Sequence, residues 1–179
     1  MKKITALLYD DFTALDLFGP LEALSRLPDH EVRYTSLDGG AVTNHTGLSV
    51  STEKVSQDVH SDILLLPGGF GSRKMVNDRV FLQTLRTMSA HADFVLSVCT
   101  GSALLARAGV LEGRKATAHA GFQDQLAGAE VLDAEVVVDG NITTSYGLGG
   151  AIPFALELVR QLAGQAEADR IRNAIAYRH

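Results

Sequence analysis

Asp93-Phe94-Val95-Leu96-Ser97-Val98-Cys99-Thr100-Gly101-Ser102 is the stretch on which the fold turns. Residues 93–98 form a short, largely apolar run with β-branched and aromatic members, which reads as a buried strand. The run passes without a spacer into Cys99 and three small residues. A helical segment over 103–108 follows and is stopped by Gly109. A strand that turns sharply into a helix through a nucleophilic residue has the form of a nucleophile elbow.

The same alternation extends in both directions. Toward the N-terminus, 62–66 is a continuous apolar strand ending in Pro67-Gly68-Gly69, and 4–9 is a first buried strand. Between them, Leu17, Leu21, Leu24 and Leu27 recur at helical spacing, with Pro20 expected in the first turn, where it is tolerated. Residues 31–37 alternate as a strand closed by Asp38-Gly39-Gly40. Phe81, Leu85 and Met88 mark one face of a helix before the 93–98 strand. Toward the C-terminus come short strands over 115–118, 135–138 and 142–145. A long helix carrying Ile152, Ala155, Val159 and Leu162 then ends at Gly164, and a final helix covers 165–176. Strands alternating with helices predict an α/β fold: a mainly parallel sheet with helices on both faces, in three layers. No repeat or linker interrupts the pattern, so one domain over 1–179 is expected.

Composition narrows the class. Of 179 residues, 46% are hydrophobic and 21% charged, as in ordinary globular proteins. The net charge is −5 and the basic residues are scattered, which argues against nucleic-acid binding. The apolar runs at 63–66 and 103–106 are far too short to span a membrane. Met1-Lys2-Lys3-Ile4 resembles the start of a signal peptide, but Asp10 and Asp11 cut any apolar core short. The single cysteine allows no internal disulfide, so a cytoplasmic location is expected.

In open α/β sheets, ligands gather at the carboxyl ends of the strands. Asp16, Gly68-Gly69, Cys99 and His119 all fall at such positions. Cys99 reads either as an inert core thiol or as a nucleophile whose thiolate is favoured by the helix that follows. Gly68 and Gly69 form a plain strand-ending turn or offer amides for an oxyanion hole. Asp16, in an apolar stretch, is the N-cap of a helix starting at Leu17, a proton donor with a raised pKa, or both. His119 is a base toward Cys99 or simply a hydrogen-bonded residue at a strand end. The other five histidines, His45 and His60 among them, fall in loop-like or solvated contexts. No metal-ligand spacing and no G-x-G-x-x-G or Walker-type loop is present, so no metal or nucleotide cofactor is expected.

Leu65-Leu66-Pro67-Gly68-Gly69, Ser97-Val98-Cys99-Thr100-Gly101-Ser102, the 109–119 segment ending in Ala118-His119, and Asp139-Gly140-Asn141-Ile142-Thr143-Thr144-Ser145 resemble the ThiJ/PfpI superfamily. The resemblance covers nearly the whole chain. It implies a class I glutamine amidotransferase-like, flavodoxin-like three-layer sandwich, a small-molecule substrate and a homodimer. Leu15-Asp16-Leu17-Phe18-Gly19-Pro20 and Val98-Cys99-Thr100-Gly101 look most like the isonitrile hydratase branch. That branch implies that Cys99 attacks the isonitrile carbon, Asp16 handles the proton and Thr100 donates its amide beside the sulfur. Ala120 follows His119 where that branch carries tryptophan, and Ser145-Tyr146-Gly147-Leu148-Gly149-Gly150 is similar to the deglycase and glyoxalase III branch. The second branch implies methylglyoxal-like dicarbonyl substrates. A further alternative is a redox or stress sensor built on Cys99. Thr100 stands where the peptidase branch has histidine, so protease activity is not expected. Transcription regulators also carry this domain; with the sequence ending at His179, an attached helix-turn-helix module is not expected.

Overall fold

The computed structural model describes residues 2–56 and 60–178; Met1, 57–59 and His179, which the one-domain expectation includes, lie outside them. At the centre is β1 (Lys2–Leu7), flanked by β2 (His30–Ser36) on one side and β5 (Ser61–Leu66) on the other. Beyond β5 come β6 (Ala92–Val98), β10 (Ile142–Ser145) and β9 (Val136–Asp139). Beyond β2 come β4 (Ser49–Lys54) and β3 (Gly40–Thr43). The pairings from β4 through β2, β1, β5 and β6 to β10 are parallel, and β3 and β9 close the edges antiparallel. The order β2-β1-β5-β6-β10 is the flavodoxin-like order, with the chain reversing direction across the sheet between β1 and β5.

Ile63, Leu64, Leu65 and Leu66 of β5 are all fully buried. Successive strand residues point to opposite faces, so both faces must be covered, which explains the unbroken apolar run. On one side α1 (Ala14–Leu24) packs against α5 (Ala151–Ala163), which also holds α6 (Gln165–Ala174). A second group consists of α2 (Ser72–Met75), α3 (Arg79–Ala90) and α4 (Gly101–Arg107), with α3 and α4 lying on β6. Asp78 caps α3, its side chain accepting hydrogen bonds from the Val80 and Phe81 amides.

Four sequence expectations need correction. The first helix begins at Ala14 rather than Leu17, with Thr13 at its cap, so Asp16 is not an N-cap but a buried residue of the first turn. Pro20 consequently lies inside the helix, where it cannot donate to the Asp16 carbonyl four residues back. The β3–β4 hairpin was not expected because its strands are short, polar and mostly exposed, leaving no apolar alternation to read. The strand over 115–118 shrinks to β7 (Lys115–Ala116), which pairs with β8 (Glu130–Val131) in a separate two-stranded sheet. Among the described residues, no helix is long and apolar enough to cross a membrane.

Candidate active site

The loops after β1, β5 and β6 meet at the carboxyl edge of the sheet. Phe12 bridges Gly69, and the Thr13 amide donates to the Gly68 carbonyl at 2.8 Å, tying the first two loops together. Cys99 sits in the third with φ of +59°, a left-handed conformation rare for a residue with a side chain. Its own amide donates to the Ser145 carbonyl at 2.9 Å, so the adjacent strand holds this strained backbone in place. The turn is as sharp as the sequence suggested, and Gly101 permits it. A Cβ there would stand 2.7 Å from the Leu66 carbonyl oxygen.

Asp16 is fully buried beside this turn. Its Oδ2 accepts from the Gly68 amide at 3.1 Å, while Oδ1 is buried with no hydrogen-bond partner among the described residues. Burial raises the carboxyl from its ordinary 3.8 to about 7, and the Gly68 amide offsets part of that rise. Gly68 has to be glycine for this contact, because a Cβ would lie 2.9 Å from Asp16 Oδ2 and 2.7 Å from the Thr100 amide nitrogen.

The expected thiolate is not what the site favours. Burial and then the Asp16 charge push the Cys99 thiol up from 9.0 to about 12, and the Thr100 amide's hydrogen bond to the sulfur pulls back only in part. The helix that follows is too short to outweigh them, at seven residues. Cys99 and Asp16 also help to raise the buried Tyr9 phenol, though less than burial does; its hydroxyl donates to the Pro67 carbonyl at 2.8 Å.

Gly68 and Gly69 do not present free amides. The Gly68 amide is held by Asp16, and the Gly69 amide donates to Thr100 Oγ1 at 2.9 Å. The Thr100 hydroxyl in turn donates to the Gly69 carbonyl at 3.2 Å, locking the two loops together.

Above the sulfur lies a cavity of about 250 Å³ lined by Cys99, Thr100, Gly69, His119, His45 and Arg73, with Phe70, Phe122, Leu148 and Thr13 completing it. A larger cavity of about 560 Å³ lies along α4 and contains no nucleophile. Cys99, Thr100, Gly69 and His119 therefore share one space, with Gly68 and Asp16 in the layer beneath. His119 is exposed, and its Nδ1 accepts from the Gly121 amide at 3.2 Å. That bond assigns the proton of the neutral ring to Nε2, so His119 can donate from Nε2 but does not accept there.

His45 sits in an exposed turn, as its loop-like context suggested, and it also lines the cavity. Its Nδ1 lies 3.3 Å from the Phe12 carbonyl, which can only accept, so Nδ1 is the donor of that contact. The Asn44 side chain shapes this hairpin tip by accepting from the Thr46 amide and hydroxyl and from the Leu48 amide. Thr43 fastens the hairpin to the loop after β1, its amide donating to Asp10 Oδ1 at 3.0 Å. Nothing in the local sequence signals this placement, since it depends on a strand pair that periodicity does not reveal. His60, Asp62 and Asp93 offer ligand atoms within 4.8 Å of one another, but at the amino ends of β5 and β6, away from Cys99.

The chain is 36% identical over 178 residues to an isonitrile hydratase of Pseudomonas putida, covering 98% of this chain and 78% of that one. It is 33% identical over 165 residues to the deglycase PfpI of Pyrococcus furiosus, covering 89% of this chain and 99% of the relative. A crystal structure of a ThiJ/PfpI family protein from Pseudomonas syringae superposes with a TM-score of 0.93 at 30% identity, covering 99% of this chain and 76% of that one. Drosophila melanogaster DJ-1beta superposes at 0.88 with 25% identity, covering 99% of both chains. The family model described as the DJ-1/PfpI family matches residues 2–161, and the chain belongs to that family.

Proposed function

We propose that this chain hydrates a small isonitrile to an N-substituted formamide, with Cys99 as nucleophile and Asp16 as proton carrier. The observation that carries this reading is the fully buried Asp16 carboxyl, poised at about 7 with an unpartnered Oδ1, beside a thiol that is neutral at that pH. Such a carboxyl is close to half protonated near neutrality, so it can both give and take a proton. A protonated Asp16 gives its proton to the isonitrile carbon as the sulfur bonds to that carbon, and the S–H proton returns to the carboxylate. The product is a thioimidate on Cys99. Water then adds to its carbon, the C–S bond breaks, and the formamide leaves with the thiol restored. The net change is the addition of one water. The Thr100 amide, already hydrogen-bonded to the sulfur, steadies the charge that develops there.

Support comes from the Pseudomonas putida hydratase, which is similar over nearly the whole of this chain. A second reading, action on methylglyoxal-like dicarbonyls, is favoured by the Pyrococcus deglycase, whose length this chain covers almost completely. A redox sensor fits less well, because it needs an accessible thiol of low pKa and Cys99 is buried and raised. Turnover of a panel of alkyl isonitriles and of methylglyoxal tests the reading. Formamide release is expected from wild type, with Cys99→Ser inactive but folded and Asp16→Asn reduced by about a hundredfold or more. Absence of formamide from every isonitrile, or full activity in Cys99→Ser, would overturn it, and methylglyoxal turnover alone would select the second reading.

A further inference from the structure

Arg73 stands at the mouth of the Cys99 cavity between two aromatic rings. Its guanidinium carbon lies 5.3 Å from the centroid of Phe70 and 5.4 Å from that of Phe122. Stacking of this kind restrains the side chain through the ring faces while leaving the N–H donors in the guanidinium plane available. Among the described residues Arg73 is the one arginine that lines this cavity, and no carboxylate pairs with it.

The cavity's charge is also unlike that of the whole molecule. The chain carries a net charge of −5, yet no aspartate or glutamate lines this space, which holds Arg73 and the imidazoles of His45 and His119. A restrained cation in a cleft free of acidic groups attracts anions, and a guanidinium matches the planar fork of a carboxylate. Phe70, Phe122 and Leu148 supply apolar wall to the same cavity.

The geometry points to Arg73 as the residue that selects substrate: the small electrophile attacked by Cys99 carries a carboxylate, which pairs with Arg73 at the rim. The inference rests on Cys99 acting as the nucleophile. Under the isonitrile reading, the substrate class is an isocyanocarboxylate and the product an N-formyl amino acid, formed by addition of one water.

Iodoacetate and iodoacetamide make the direct test, since they are nearly isosteric and differ in charge. With either reagent the Cys99 sulfur displaces iodide, and the ratio of the two rate constants cancels any change in thiol ionisation. Mass-spectrometric rates on wild type should give an iodoacetate-to-iodoacetamide ratio above that of reduced glutathione. Arg73→Gln should lower that ratio about tenfold, Arg73→Lys should restore part of it, and added salt should lower it in wild type. A ratio in Arg73→Gln within about twofold of wild type would overturn the inference. If that variant does not fold, a wild-type ratio no higher than glutathione's, or one insensitive to salt, would overturn it equally. A separate arm compares kcat/KM for isocyanoacetate and its methyl ester, expected to favour the carboxylate. Failure to turn over either of them, with no formamide from any alkyl isonitrile, would overturn the isonitrile reading alone and leave the alkylation ratio to decide the role of Arg73.

Discussion

In the resting site Asp16 and Cys99 act on each other through charge. Asp16 Oδ2 is held by the Gly68 amide, and Oδ1 has no hydrogen-bond partner among the described residues, free to take a proton once substrate binds. Before substrate binds, the Asp16 carboxylate raises the thiol, and burial acts in the same direction with greater effect. Replacing Asp16 with asparagine removes the charge and leaves the burial. Iodoacetamide should then alkylate Cys99 about threefold faster or more at about pH 9, as followed by intact-mass spectrometry. Slower alkylation in Asp16→Asn would mean that the carboxylate helps to form the thiolate. The sequence placed Asp16 among apolar residues, and its raised pKa was legible from that. The N-cap reading failed because the helix starts a turn earlier, and helix starts are poorly fixed by spacing alone.

At the scale of elements, the site depends on how closely β5 and the start of α4 approach. Gly101 lies against the backbone at the end of β5, where a Cβ would meet the Leu66 carbonyl oxygen at 2.7 Å and the Pro67 carbonyl oxygen at 3.1 Å. Backbone atoms at a strand end cannot yield as a flexible side chain can. Gly101→Ala should therefore cost about 1–3 kcal/mol in urea unfolding and slow Cys99 chemistry by displacing the elbow. Unchanged stability would show that the two loops have slack. The strand-elbow-helix unit was legible because the apolar run, the small residues and Gly109 follow one another directly. The β3–β4 hairpin was not, because its exposed strands gain their order from pairing with β2 and from the Thr43 contacts, both remote in sequence.

Stability of the whole molecule should carry the signature of the buried carboxyl. Asp16 has a folded-state pKa raised from 3.8 to about 7, so the folded chain binds its proton more tightly than the unfolded chain does. That contribution is fully present below about pH 4 and is lost as pH rises through about 7, a change of about 4 kcal/mol. The raised Cys99 thiol has the same sign, but its loss begins only above about pH 9. Melting curves should accordingly show Asp16→Asn gaining on wild type between about pH 4 and pH 7; a constant difference would mean that Asp16 is not protonated in the fold. By itself the sequence determined the parallel α/β sheet, the elbow at Cys99 and the meeting of Asp16, Gly68 and Cys99 at one edge. Apolar runs bury locally, and a parallel sheet brings the carboxyl ends of its strands together. Only the tertiary structure decided the protonation of the pair, the engagement of both glycine amides and the arrival of His45 and Arg73. Each of these depends on solvent exclusion or on partners from distant segments, neither of which is written in the local order of residues.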